Sequence, residues 1–184
     1  RLSLVGSEMC IRDRDYIQEY NSPIGSITIA SDEASVTGIW FENSRFFSKA
    51  LSGKYINQST AAAEQAVHWL DIYFNNKIPD FTPPLLLKGT DFRMTVLKML
   101  LDIPYGETIS YGDIAKAIAK RRGIEKMSAQ AVGNAVGHNP ISIIVPCHRV
   151  VGSKGSLTGY GGGIKRKKEL LRLESNATAL AKLK

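Results

Sequence analysis

A cysteine and a histidine stand side by side in a segment that reads NPISIIVPCHRVV. Cys147 and His148 directly follow Pro146, and the five residues before that proline, Ile141–Val145, are apolar with one exception. Such a run predicts a short buried strand, and Pro146 ends it because proline has no N–H for a strand ladder. The pattern therefore predicts a thiol held at the exit of a buried strand, where an activated nucleophile can meet a substrate.

A cysteine that attacks carbon must be a thiolate, and a free thiol with a pKa of about 8.5 is mostly protonated at neutral pH. Neighbouring side chains in an extended strand point to opposite sides. We therefore do not expect His148 to contact Cys147 directly. A bridging water is expected to carry the proton between them, with an acid orienting the far nitrogen of the imidazole.

The elements that position this pair are predicted to be helices. Asp91 is expected to cap a first helix, and Ser110 begins a second, Tyr111–Lys120. Ser128 caps a third helix of small residues, Ala129–Gly137. A helix, a turn and a thin second helix form a pattern typical of a helix-turn-helix, although such helix pairs also occur in proteins that never touch DNA.

Charge is distributed unevenly along the chain. Residues 1–88 carry 8 Lys and Arg against 10 Asp and Glu, whereas residues 89–184 carry 16 against 7. The loop Lys120–Lys126 lies in the basic half, and it could serve phosphates. The asymmetry thus places an electrostatic footprint for nucleic acid on the half that holds Cys147.

Composition excludes several other classes of protein. No apolar run approaches the roughly 20 residues needed to span a bilayer, so no membrane association is expected. Cys10 and Cys147 are the two cysteines, too few for a disulfide scaffold or a structural zinc site. We predict an intracellular, cytoplasmic protein that binds no metal.

The first half predicts a small antiparallel sheet with one helix. Strands are expected around Ile24–Ile29 and over Val36–Phe41, and a helix over Thr60–Asn76. A proline-containing linker follows this helix and runs to about Thr90. Residues 1–14 fit neither a secretory signal nor this pattern, and we interpret them as a non-native leader.

The residues VPCHRV, together with the upstream Asn-Pro and the downstream Tyr-Gly-Gly-Gly, resemble the O6-alkylguanine-DNA alkyltransferases. These repair proteins take an alkyl group from DNA onto their own cysteine. The resemblance covers about Tyr20 to Glu174 and is dense from Phe92 onward. It implies an α/β fold in two parts: a ribonuclease-H-like first domain, and a mostly helical second domain with a helix-turn-helix or winged-helix-like arrangement. We place the first domain at residues 15–88, the second at 89–175 and a tail at 176–184.

The resemblance also implies the site residues. Cys147 would accept the alkyl group, Glu174 would orient His148, Asn139 would fix the turn before the nucleophile, and Tyr111 would donate a proton to the guanine. The residues implied to contact DNA or the flipped base are Ser128, Ala129, Gln130, Arg149, Tyr160, Gly161 and Gly162. The reaction implied is a single-turnover transfer from O6-alkylguanine, and from O4-alkylthymine, in double-stranded DNA. Binding through the minor groove and extrusion of the base into a pocket would precede it, with no cofactor and with the protein as a monomer.

Two departures from the family pattern stand out. Gln130 holds the position where the family often presents an arginine that fills the gap left by the flipped base, so weaker binding or slower flipping is expected. The zinc ligands found in the first domain of some members are absent, and a zinc site is not implied.

Two other functions compete with this interpretation. A non-catalytic sensor of alkylated DNA would share the fold, but such relatives lack the cysteine. A Cys-His hydrolase would need an oxyanion hole and a base that touches the thiol, and the adjacency of Cys147 and His148 argues against it.

Overall fold

The computed structural model describes residues 15–44 and 55–181, with side chains described through residue 177. The predicted leader, including Cys10, lies outside the described residues. Over the described part, six strands and five α-helices form the two-domain α/β architecture that the sequence predicts. No helix in the described part of the chain is long and apolar enough to cross a membrane.

The first domain is built on a four-stranded sheet with the strand order β3-β2-β1-β4. The strands are β1 (Asp15–Ser22), β2 (Gly25–Ser31), β3 (Val36–Phe41) and β4 (Tyr55–Asn57). β1, β2 and β3 pair antiparallel as predicted, but β4 pairs parallel to β1, so the sheet is mixed. Isoleucines alternate into the core along β2, where Ile27 and Ile29 are fully buried.

Helix α1 (Ala61–Phe74) covers this sheet. Thr60 is its N-cap, because the hydroxyl accepts a hydrogen bond from the Ala63 N–H at 3.1 Å. Ala66, Leu70 and Tyr73 lie on one face at spacings of four and three, and all three are fully buried. The linker after α1 is held to the sheet, since the Val36 N–H donates to the Pro84 carbonyl at 2.8 Å.

The second domain contains four helices: α2 (Asp91–Leu101), α3 (Tyr111–Arg122), α4 (Ala129–Gly137) and α5 (Ile164–Ala181). Ser110 and Ser128 cap α3 and α4 as predicted. Thr90, one residue earlier than expected, caps α2. A two-stranded parallel sheet joins β5 (Ile109–Ser110) to β6 (Val150–Val151). α5 extends to Ala181, into the segment 176–184 that the sequence predicts to be a tail.

The predicted strand over Ile141–Val145 is wrong. The segment touches the sheet through one bridge between Ile39 and Ile141 and then forms a tight turn, in which the Val145 N–H donates to the Ile141 carbonyl at 3.1 Å. Ile143 has a φ of 70° and is fully buried, a conformation that costs a β-branched residue energy. Apolar periodicity could not distinguish a buried strand from a buried turn.

Asn139 holds this turn together. Its amide donates to the carbonyls of Ile141 at 3.2 Å and Val145 at 2.8 Å, and its side-chain oxygen accepts from the Ile141 N–H at 3.1 Å. These three bonds are buried, and they satisfy backbone groups that a strand would otherwise pair. The turn fixes the backbone that leads directly into Cys147.

We expect Asn139→Ala to lower the free energy of unfolding by about 3 kcal/mol, because it leaves the buried Ile141 N–H without its acceptor and removes two further buried hydrogen bonds. Urea denaturation measures this loss. Asn134→Ala is the matched control, since Asn134 is exposed on the neighbouring helix and should change stability by less than about 0.5 kcal/mol. Equal stability of the two variants would contradict the role of Asn139 in the turn.

Candidate active site

Cys147 lies at the wall of a cavity of about 300 Å³. The thiol residue is 7% exposed, so it faces the cavity and little else. The cavity is lined by Tyr111, Gly133, Asn134, Val136, Gly137, His138, Cys147, Gly159, Tyr160 and Gly161. Its volume lies at the lower end of ordinary ligand pockets, and two tyrosine rings and four glycines border it.

Cys147, His148 and Arg149 form a single 3-10 turn after Pro146 rather than an extended strand exit. This turn buries the His148 and Arg149 side chains under the cavity, where both reach α5. The turn is the local reason that three consecutive residues contribute to one buried cluster.

Glu174 is the centre of that cluster. Its side chain is fully buried, and its two oxygens accept hydrogen bonds from four residues. The donors are His148 Nε2 at 2.7 Å, Tyr73 Oη at 2.9 Å, Arg149 Nε and Nη2 at 2.9 and 3.0 Å, and the Gly106 N–H at 3.1 Å. Burial alone would raise the pKa of the carboxyl, but the hydrogen bond from His148 and the hydrogen bonds and charge of Arg149 outweigh it and hold the pKa at about 2. Glu174 is therefore a buried, ionised carboxylate.

His148 is fully buried and binds Glu174 through Nε2. Because the ionised carboxylate can only accept, Nε2 carries the proton. Nδ1 has no hydrogen-bond partner among the described residues. Burial lowers the pKa of His148 despite the opposing effect of Glu174, so the resting imidazole is neutral with a free lone pair on Nδ1.

Arg149 is not placed for the predicted DNA contact. Its guanidinium is buried, pairs with Glu174 and donates through Nη1 to the Ile103 carbonyl at 2.7 Å. It also lies over the Tyr105 ring, 5.3 Å from the centroid. The charge that the sequence assigned to DNA instead neutralises the buried carboxylate.

The Cys147 thiol is protonated at rest. Burial raises its pKa, although the Asn139 side chain and the positive charge of Lys167 act in the opposite direction. A buried thiol of this kind needs a base during attack.

Sequence analysis missed Lys167. The residue is fully buried, and its ammonium donates to the carbonyls of Val150 at 2.6 Å, Thr158 at 3.0 Å and Gly159 at 3.2 Å. Three acceptors match the three N–H bonds of a charged lysine. The signal was present in the sequence, because Lys167, Leu170 and Glu174 recur at helical spacing and form one buried stripe of α5.

The glycine loop, residues 159–163, is fixed from both domains. Tyr160 packs edge-on against Phe41 of β3, with ring centroids 6.4 Å apart. Arg166 donates to the Gly162 carbonyl at 3.2 Å and to the Ile24 carbonyl at 3.0 Å, so it ties the loop to the β1–β2 turn. A side chain at Gly162 would come within 2.7 Å of the Phe41 ring. Gly162 therefore permits the close approach of the loop to the first domain.

An open groove of about 550 Å³ continues from the cavity along α4. Ala129 and Gln130 line it, and Ser128 lies beside them at the exposed start of the helix. Tyr111 borders both the groove and the cavity, and its hydroxyl donates to the Thr158 carbonyl at 3.2 Å. The structure thus brings together Cys147, His148, Glu174, Asn139, Tyr111 and Tyr160, with Ala129 and Gln130 at the mouth.

Two family models match the chain over most of its length. Residues 16–87 match the ribonuclease-like domain of 6-O-methylguanine DNA methyltransferase, and residues 91–176 match the DNA binding domain of the same family.

Characterised relatives cover nearly the whole chain. A methylated-DNA–protein-cysteine methyltransferase of Mycobacterium tuberculosis is 46% identical over 156 residues, covering 85% of this chain and 90% of the relative. The protein of that name from Haemophilus influenzae is 40% identical over 161 residues and 86% of each chain. A crystal structure of Mycobacterium tuberculosis OGT in complex with DNA superposes with a TM-score of 0.76 at 43% identity, covering 88% of this chain and 94% of that one.

The pKa of Glu174 predicts how stability depends on acid. A carboxyl whose pKa falls from 4.5 to about 2 on folding contributes stability that is complete above pH 4.5 and is lost as the pH falls toward 2. We expect the wild type to lose about 2 kcal/mol of free energy of unfolding relative to Glu174→Gln between pH 5 and pH 3. Urea denaturation at the two pH values measures this difference. The exposed Glu169→Gln is the control and should show no such change. If the difference in free energy of unfolding between wild type and Glu174→Gln were the same at both pH values, Glu174 would not be held ionised by the fold.

Proposed function

The chain belongs to the 6-O-methylguanine DNA methyltransferase family of DNA-repair proteins, and we propose that Cys147 is the residue that accepts the alkyl group. The observation that carries this proposal is the position of Cys147 on the wall of a cavity that opens into the α4 groove. The neutral His148 and ionised Glu174 lie directly behind it. The site thus contains a thiol, a base that can accept its proton and a carboxylate that can stabilise the protonated base.

The groove supports duplex DNA as the partner. The start of α4 and the exposed, basic loop before it face solvent, and backbone N–H groups at a helix N-terminus suit phosphates. The O6 atom of guanine lies within the base stack of a duplex. We propose that the alkylated nucleotide is extruded past α4 into the cavity, where the glycine loop and Tyr160 border it.

The chemical step is a displacement at the alkyl carbon. The Cys147 proton passes through a water to Nδ1 of His148, and the resulting imidazolium is stabilised by Glu174. The sulfur lone pair forms the new S–C bond while the C–O6 bond breaks and its electron pair moves onto the base. Tyr111 donates a proton to the guanine, which leaves as the normal neutral base, and the proton held by the His148 imidazolium then returns through water to the Tyr111 phenolate. Tyr111 must then give up its bond to the Thr158 carbonyl.

The product would be a thioether, which no group at the site is placed to hydrolyse. We therefore propose that each molecule acts once and requires no cofactor. The proposal extends to O4-alkylthymine, because it presents an alkyl group on an equivalent ring oxygen. It also includes action as a monomer inside the cell, with residues 15–88 and 89–175 as the two domains.

The decisive experiment is to incubate the protein with duplex that contains O6-methylguanine and to weigh the protein. We expect a gain of one methyl group on the peptide that holds Cys147, saturating at one equivalent. Cys147→Ala should lose transfer completely and keep duplex affinity within about twofold, because the groove residues are unchanged. Methylation of the alanine variant, or a wild type that binds duplex without a change in mass, would refute Cys147 as the acceptor.

Gln130→Arg tests the departure from the family pattern. Gln130 is exposed at the mouth of the groove, so an added cation there should tighten binding to lesion-containing duplex several-fold at low salt and speed transfer. Fluorescence anisotropy over a salt series measures the affinity. Gln65→Arg, an exposed site on α1, adds the same charge away from the groove and should have little effect. Equal gains in the two variants would indicate net charge rather than a contact at position 130.

A further inference from the structure

Tyr73 is the residue that the first domain contributes to the buried cluster behind Cys147. It belongs to α1, and its side chain is fully buried. The phenol donates to Glu174 Oε1 at 2.9 Å and lies 3.4 Å from His148 Nε2. The sequence gives no reason to expect chemistry there, because Tyr73 falls on the ordinary apolar face of α1.

We propose that Tyr73 is a positioning residue for alkyl transfer, which sets the proton affinity of His148 through the oxygen of Glu174 that both side chains share. This inference rests on the proposed function, since it assumes that His148 is the base for Cys147.

Three hydrogen-bond donors share one oxygen atom of Glu174. Oε1 accepts from His148 Nε2 at 2.7 Å, from Tyr73 at 2.9 Å and from Arg149 Nη2 at 3.0 Å. Each donor withdraws negative charge from that oxygen and reduces what is left to stabilise an imidazolium. With the phenol in place, the carboxylate orients the ring but holds the proton of His148 less tightly. His148 is thereby kept neutral and ready to accept the proton of Cys147.

The Tyr73 hydroxyl remains a hydrogen-bond donor to Glu174. Burial and the charge of Glu174 raise the pKa of Tyr73 well above its usual range, so the hydroxyl stays protonated at and around neutral pH. Its ring packs against Trp69, with centroids 5.2 Å apart, and against Phe74, with centroids 5.3 Å apart. These contacts leave the hydroxyl aimed at the second domain.

The other titratable and charged groups around His148 come from several elements. They are Arg149 and Cys147 on the 3-10 turn, Lys167 and Glu174 on α5, Tyr105 on the turn after α2, and Tyr160 on the glycine loop. The cations Arg149 and Lys167 lower the pKa of His148, and Glu174 raises it. Tyr73 is neutral and donates directly to the Glu174 carboxylate. Replacing it with phenylalanine therefore changes no formal charge in the cluster.

The test is the pH dependence of single-turnover methyl transfer in Tyr73→Phe. Loss of the donor should increase the pull of Glu174 on the imidazolium and move the acidic limb of the rate profile upward by about 0.5 pH unit. Rates on that limb would fall about threefold, while the plateau rate at high pH would change less. A purely structural role for Tyr73 would lower the plateau and leave the midpoint in place.

Tyr105→Phe is the matched control. Its hydroxyl is buried in the same cluster without a hydrogen-bond partner among the described residues, and its ring contacts Tyr73 with centroids 5.7 Å apart. It removes the same atom from the same environment, so the acidic limb should stay in place. In a Glu174→Gln background, Tyr73→Phe should likewise cause no shift, because the shared carboxylate is gone.

Proton binding by His148 can also be followed directly, without DNA, by NMR of a sample labelled in its histidine rings. The midpoint of the His148 titration should rise in Tyr73→Phe. It should fall when Tyr73 is replaced by a fluorinated tyrosine, because the more acidic hydroxyl is a stronger hydrogen-bond donor. This second variant retains the ring and tests the idea even if Tyr73→Phe folds poorly. An unchanged midpoint in both would overturn the role of Tyr73. A wild type that gains no methyl group would instead refute the proposed function, and the NMR titration would still decide whether Tyr73 acts on His148.

Discussion

A single buried negative charge organises the site. An isolated carboxylate in a protein interior is strongly unfavourable, and a chain tolerates one only when hydrogen bonds and opposite charge compensate it. Glu174 receives that compensation from an arginine, an imidazole, a phenol and a backbone amide that come from three separate parts of the chain, since His148 and Arg149 share one 3-10 turn. The position of each donor is thereby specified by the same oxygen atoms.

Two cations of the basic half face inward, each toward different buried acceptors. Arg149 neutralises Glu174, and Lys167 satisfies three carbonyls that border the glycine loop. The sequence predicts that Arg149 contacts DNA, and Lys167 adds to the positive charge of the same half of the chain. The basic loop before α4, in contrast, is exposed to solvent.

Much of the architecture could be predicted from local signals. The starts of two helices could be predicted from the capping residues Ser110 and Ser128, and strands β2 and β3 from their pattern of apolar residues. These signals are local, because they depend only on residues close together in the chain. The turn at Ile143 could not be predicted, since a left-handed isoleucine is chosen by Asn139 and by the surrounding core rather than by local preference. The inward direction of Arg149 was missed for a related reason: a 3-10 turn and a straight exit have the same sequence pattern.

The contribution of Tyr73 was inaccessible for a different reason. It is separated from Glu174 by 101 positions, and nothing in the periodicity of α1 distinguishes a tyrosine that fills a core from one that also donates across a domain boundary. Long-range pairings of this kind depend on the tertiary structure and cannot be read from a single helix.

The contacts of Phe41 and Arg166 with the glycine loop have a further consequence for how the chain can be divided. A polypeptide cut at the linker would separate the loop from the ring that supports it, and would also remove the β1–β2 turn to which Arg166 bonds. Cys147, α3 and α4 would all remain in the second fragment, yet the wall of the cavity would lose its backing. The two domains are therefore separate in chain topology but depend on each other for the structure of the cavity. A shortened protein that kept only the second domain would need a replacement for the contacts of the Phe41 ring and the β1–β2 turn with the glycine loop and Arg166.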